Sequence, residues 1–150
     1  MLKIEVINKF EDFKSITKDE FIDLLFVHLD KFGDPRNQIE DCLNYALSDE
    51  EGKGGFALAA FYDGNPVGAL IMNKTGMGGY IPENILVYIA VNSEYRGKGI
   101  GRQIIEKSAE IAEGDIKLHV EYDNPAKRLY ERVGFTNKYA EMRFKNPKSK

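Results

Sequence analysis

Seven apolar residues in succession, Ile85 to Val91 (ILVYIAV), constrain the fold of this chain more than any other stretch. β-branched and aromatic residues favour strand, and a short run with no polar alternation leaves no side for water. The segment is expected as a buried central strand, in a sheet that has helices on both faces. Directly behind it, Gly97, Gly99 and Gly101 alternate with Arg96, Lys98 and Arg102. A helical stripe of Ile100, Ile104, Ser108 and Ile111 then runs to about Glu113.

The remaining chain supplies partners for that strand. Lys3 to Asn8 alternates in period two and reads as a first strand. Thr17 with Glu20 makes a capping-box pattern before Phe21, Leu24, Leu25 and His28, and Gly33-Asp34-Pro35 stops that helix. A second helix carries Ile39, Leu43, Ala46 and Leu47 on one face. GFALAAFY and PVGALIMN flank Asp63-Gly64-Asn65, a hairpin signal. Ile116 to Tyr122 is expected as a strand. A helix follows, opened by Asn124-Pro125 and closed by Gly134, and KYAEMRFK is expected as a closing strand. The element order is β-α-α-β-β-β-α-β-α-β, a mixed, mostly antiparallel α/β sheet of six or seven strands.

With 150 residues and no linker or repeat, residues 1–150 are expected as one domain, with a basic solvated tail from about residue 146. The net charge of −3 argues against a general nucleic-acid binder. The single cysteine, Cys42, excludes an internal disulfide. The charged N-terminal stretch lacks the apolar core of a signal peptide, and no apolar run is long enough to span a bilayer. A cytoplasmic location without membrane attachment is expected. Exposed sheet edges leave a homodimer open.

The glycines ask for backbone in unusual conformations or close to a ligand, at a helix start where free N–H groups and the dipole favour an anion. Interleaved cations strengthen that preference, so a di- or polyphosphate is the natural ligand. A P-loop needs Gly-Lys-Ser/Thr, but Gly99 follows Lys98; a dinucleotide loop needs a third glycine where Arg102 stands. The run Arg96-Gly97-Lys98-Gly99-Ile100-Gly101 instead matches R/Q-x-x-G-x-G/A and resembles the acetyl-CoA loop of the GNAT N-acetyltransferases. Downstream, Asn124, Ala126, Leu129-Tyr130 and Gly134-Phe135 resemble that family's second signature, and the resemblance extends from about Gly55 to Phe144. Asn124 stands six residues before Tyr130 where seven are expected, so Asp123 and Asn124 compete for the family's asparagine position.

The resemblance implies a GNAT-like acyltransferase fold and transfer of an acetyl group from acetyl-CoA, as cosubstrate, directly to a primary amine. Ile89, Ala90 and Val91 match the strand that pairs with the pantetheine arm, and the N–H groups from Gly97 to Arg102 match the pyrophosphate site. Arg96, Lys98 and Ile100 belong to the same loop, while Arg102, Lys127 and Arg128 are candidates for the 3′-phosphate. Tyr130 matches the family tyrosine and is the candidate acid for the departing thiolate. His119 and Glu121 are expected on one face of a strand as candidate bases, with Glu83 or a water as alternatives. Cys42 reads as a small buried hydrophobe, His28 as structural, and no metal is expected. Asp30, Asp34, Glu40 and Asp41 make the first two helices acidic, which favours a cationic amine. The acceptor is a small-molecule amine or a peptide or protein amine. A rival reading is a non-catalytic acyl-CoA-binding sensor; another, a nucleotide-phosphate binder, would take ATP or NAD in place of CoA.

Overall fold

Strand parity explains most of the architecture. The computed structural model describes residues 1–148; Ser149 and Lys150, the end of the basic tail, lie outside the described residues. Five strands, β1 (Leu2–Ile7), β2 (Gly55–Tyr62), β3 (Asn65–Lys74), β4 (Asn84–Val91) and β5 (Ile116–Leu118), form one sheet in that order. The first three pairings are antiparallel and β4–β5 is parallel. Four α-helices accompany them: α1 (Lys18–Leu29), α2 (Arg36–Ala46), α3 (Ile100–Ile111) and α4 (Ala126–Val133).

Local chemistry sets the boundaries. The Thr17 hydroxyl accepts from the Glu20 amide, and the Glu20 carboxylate accepts from the Thr17 amide, so α1 starts on a complete capping box. Asp63 and Gly64 both have positive φ, 50° and 84°, and Tyr62 pairs with Asn65, which is the two-residue turn suited to a twisted hairpin. Alternation along β2 then builds two cores. Ala57, Ala59 and Phe61 pack with Phe21, Leu25, Ile39 and Leu43 of α1 and α2. Phe56, Leu58 and Ala60 pack with Ile100, Ile104 and Ile105 of α3 and Tyr130 of α4.

Strand β4 breaks parity once. Ile71 pairs with Tyr88 and Met72 with Leu86, so Val87 is an extra residue, a β-bulge. Leu86 and Tyr88, two apart, consequently enter opposite cores.

Two expectations are corrected. Strand β5 ends at Leu118 rather than Tyr122, and the closing strand KYAEMRFK does not form, so among the described residues the sheet has five strands and not six or seven, and the order ends on α4. A three-residue outer strand offers a short template. Tyr139, Met142 and Phe144 stay 79–90% exposed, so pairing there has no apolar burial to offset the loss of chain entropy. Among the described residues, no helix is long and apolar enough to cross a membrane.

Candidate active site at the splayed strands

Strand β4 meets β5 only at Asn84, Ile85 and Leu86, whereas it follows β3 through Val91. The start of the seam is stapled. Asn84 Nδ2 donates to the carbonyls of Glu113 at 2.8 Å and Asp115 at 3.2 Å, and Glu83 accepts from the Asp115 amide at 2.9 Å. Beyond Leu86 no strand among the described residues covers the β5 side of β4. Alternate backbone groups of the segment from Val87 to Val91 therefore face a gap. Ile89, Ala90 and Val91 lie along it. The gap opens toward the carboxyl ends of two parallel strands, where open α/β sheets bind ligands.

The glycine loop follows β4 in the chain and brings the start of α3 beside Val91, whose side chain would stand 3.6 Å from a Cβ on Gly101, and its three glycines do different work. Gly97 and Gly99 have φ of 83° and 76°, and a Cβ on either would meet nothing within 4 Å, so conformation alone requires them. Gly101 is helical, and a Cβ there would stand 3.1 Å from Leu129 Cδ2, so its bareness lets α4 lie against α3. Gly99 caps α3 without a side-chain bond, and the first intrahelical bond runs from the Gln103 amide to the Gly99 carbonyl. The amides of Ile100, Gly101 and Arg102 are left as donors at the positive end of the helix.

The cations around the loop are not equivalent. Arg96 donates through Nε to the Val91 carbonyl at 3.2 Å and through Nη2 to the His28 carbonyl at 2.8 Å, tying the loop to β4 and α1. His28 Nδ1 accepts from the Ser93 amide, and burial and the Arg96 charge hold the imidazole below its ordinary pKa. Lys98 lies over the Tyr62 ring at 5.9 Å. Arg102 pairs with Glu106 and Lys127 with Glu131, both at 3.5 Å, while Arg128 has no salt bridge among the described residues.

Helix α4 packs on α3 through Leu129 and places Tyr130 in the core that Ile100 and Ile104 enter. The residue is buried, its ring meets Phe135 edge-on at 5.9 Å, and burial pushes the phenol up to about 12. Asn124 spends Oδ1 on the Ala126 amide at 2.9 Å, which caps α4 and leaves Nδ2 for a ligand; Asp123 stands exposed in the preceding turn.

The base candidates separate. His119 and Glu121 are both exposed and lie beyond β5, so strand alternation does not hold them on one face. His119 Nδ1 is 3.9 Å from Glu141, and burial, followed by the Lys117 charge, lowers its pKa. Glu83 is drawn below the usual carboxylate range by the Asp115 amide, and a Cβ on Gly114 would come within 2.6 Å of its carboxyl carbon. That fixed, strongly ionised group is a poor proton acceptor. Cys42 is buried and its thiol is pushed up to about 12, which suits a packing role and not a nucleophile. No group of three His, Cys, Asp or Glu residues near enough to hold a metal ion occurs among the described residues.

Sequence reasoning passed over Tyr88 and the Val87 bulge. A run of seven apolar residues carries no parity signal, so neither the extra residue nor the core that Tyr88 enters is visible in it. In the fold, the Tyr88 hydroxyl donates to Asp34 Oδ2 at 2.5 Å, and burial, reinforced by that bond, raises the phenol pKa well above its ordinary value.

The geometry agrees with comparisons to known proteins. The chain matches the acetyltransferase (GNAT) family over residues 11–135. It superposes on a ribosomal-protein-alanine N-acetyltransferase from Brucella melitensis biovar Abortus 2308 with a TM-score of 0.68 and 21% identity, covering 97% of this chain and 99% of that one. An aminoglycoside N-acetyltransferase in complex with CoA gives a TM-score of 0.67 at 12% identity, covering 98% and 95%. Glucosamine-6-phosphate N-acetyltransferase from Arabidopsis thaliana gives 0.58 at 18%, covering 97% and 98%. A family match across most of the chain, on a fold whose central strands part above a glycine-lined helix start, shows that this protein belongs to the GNAT acetyltransferases.

Proposed function

We propose that this protein transfers the acetyl group of acetyl-CoA directly to a primary amine while both are bound. One observation carries the reading: β4 loses its β5 partner after Leu86, and the α3 amides lie at the open end of the same gap. The gap suits an extended amide chain, which pairs as a strand would, and the helix start suits a pyrophosphate. Bound there, acetyl-CoA supplies an activated thioester. The residues that hold it are Ile89, Ala90 and Val91 along the arm, the Gly97 to Arg102 amides with Lys98 at the phosphates, and Arg102, Lys127 or Arg128 at the 3′-phosphate. Asn124 contributes through Nδ2, and Arg96 fixes the loop.

In the reaction the amine nitrogen bonds to the acyl carbon and the carbon–sulfur bond breaks. A β4 amide facing the gap donates to the acyl oxygen as negative charge builds there. The Tyr130 hydroxyl, neutral at physiological pH, gives its proton to the departing sulfur and regains one from solvent. An amine that arrives charged gives up one proton before it attacks and a second as the amide forms, both to His119, to Glu121 or through water. Cys42, buried and protonated, supports transfer without an acyl-enzyme. The enzymes compared above bear names that specify different amines, so the acceptor is read from this chain's own residues.

Calorimetric titration with acetyl-CoA, CoA, ATP and NAD, followed by a thiol-release assay over an amine panel, tests this. Selective CoA binding with thiol release dependent on an amine is expected; stoichiometric ATP or NAD binding without CoA binding overturns it. The exposed, unstranded positions of His119 and Glu121 favour a second reading, an acyl-CoA sensor, which predicts tight binding without turnover.

A further inference from the structure

The acidic residues of the first two helices are largely spent on each other's partners. Glu40 pairs with Lys18 at 3.1 Å, while Asp19 and Asp23 share Arg36 at 3.7 and 2.9 Å. Asp34 differs. It lies between α1 and α2, is exposed, and receives the hydroxyl of a residue from the centre of the sheet. Among the described residues no cation stands within salt-bridge distance of it. Arg143 is near enough to feel its charge, but its guanidinium bonds Glu141 instead.

The position of Tyr88 gives this contact its meaning. It follows the unpaired Val87 and precedes Ile89, where β4 has just parted from β5. The bulge turns the Tyr88 ring toward α1 and α2, and the ring is 9% exposed, so one Asp34 oxygen is pinned from inside the fold. The other oxygen is left as an acceptor, one tyrosine side chain away from the point on β4 where the stretch assigned to the pantetheine arm begins. We propose that Asp34 is the carboxylate that receives the acceptor as an alkylammonium ion, and that Tyr88 is the positioning residue that aims it. The inference rests on the acetyltransferase reading and deepens it, giving a substrate class of aliphatic primary amines that arrive charged.

The test compares an aliphatic diamine, cadaverine, with aniline, which is uncharged at neutral pH, in a thiol-release assay. The Asp34→Asn variant is expected to raise KM for cadaverine about tenfold or more with a smaller change in kcat, since a charge-assisted bond is lost. The preference for cadaverine over aniline falls by the same factor. Tyr88→Phe keeps the charge but frees the carboxylate, and its KM for cadaverine rises about threefold. Acetyl-CoA affinity by calorimetry and the melting temperature report whether each variant is folded. Turnover with KM and preference unchanged in both folded variants overturns this inference alone. Failure of cadaverine to serve the wild-type enzyme while aniline is acetylated overturns it too. Absence of thiol release with every amine overturns it together with the reading on which it rests.

Discussion

Burial raises the Tyr130 phenol from 10.0 to about 12, so it remains a proton donor at any physiological pH. Its neutral form is the one the fold prefers. The stabilisation is full below pH 10 and disappears as pH rises toward 12, a melting-temperature decline that Tyr130→Phe should blunt. The same variant should lower kcat about a hundredfold with little change in CoA affinity, as loss of a general acid does. His119 moves the other way. Its depressed pKa leaves it a free base at neutral pH, so kcat/KM should fall on the acid side with an inflection below 6.5. His119→Gln should erase that limb; if the limb persists, Glu121 or water carries the proton. The family signature makes Tyr130 legible from sequence alone, whereas Tyr88 is invisible there because its role depends on which face of β4 it leaves.

Elements translate glycines into separable effects. Gly99→Ala meets open space but has φ of 76°, so it should cost about 1 kcal/mol in denaturant unfolding and weaken CoA about tenfold by turning the loop amides. Gly101→Ala has only the end of Leu129 to displace and should cost less than about 1 kcal/mol. Gly55→Ala is of another order. Its Cβ would stand 2.0 Å from the Met72 carbonyl oxygen at φ of 145°, so a loss of about 3 kcal/mol or more is expected, with CoA contacts untouched. The loop glycines, the Thr17 capping box and the Asp63-Gly64 turn were readable because each is a local conformational demand. The length of β5 was not, since IKLHVEY has strand propensity throughout and only its neighbours decide where pairing stops. The closing strand failed for the same reason.

At the scale of the molecule, β2, β3 and β4 are neighbouring hairpin strands, β1 joins β2 across the two intervening helices, and the parallel β4–β5 pairing described is made late in the chain. That the sheet would be mixed, with helices on both faces, followed from ILVYIAV and the strand–helix–strand pattern behind it. The stapling of β4 to β5 by Asn84 and Glu83 involves Glu113, Gly114 and Asp115, roughly thirty residues on, and nothing local announces it.

The uncovered stretch of β4 is also a hazard. Apart from the Val91 carbonyl, which Arg96 occupies, its backbone groups that face the gap have no strand partner and invite another chain to pair with them. Acetyl-CoA lying along Val87 to Val91 would act as a missing strand, so the cosubstrate would guard the protein's solubility as well as feed its chemistry. Amide hydrogen exchange from Val87 to Val91 is expected to slow when CoA is added, and light scattering on warming to set in later. The protein would then be most prone to self-association when acyl-CoA is scarce, which would tie its persistence to supply of the cosubstrate proposed for it.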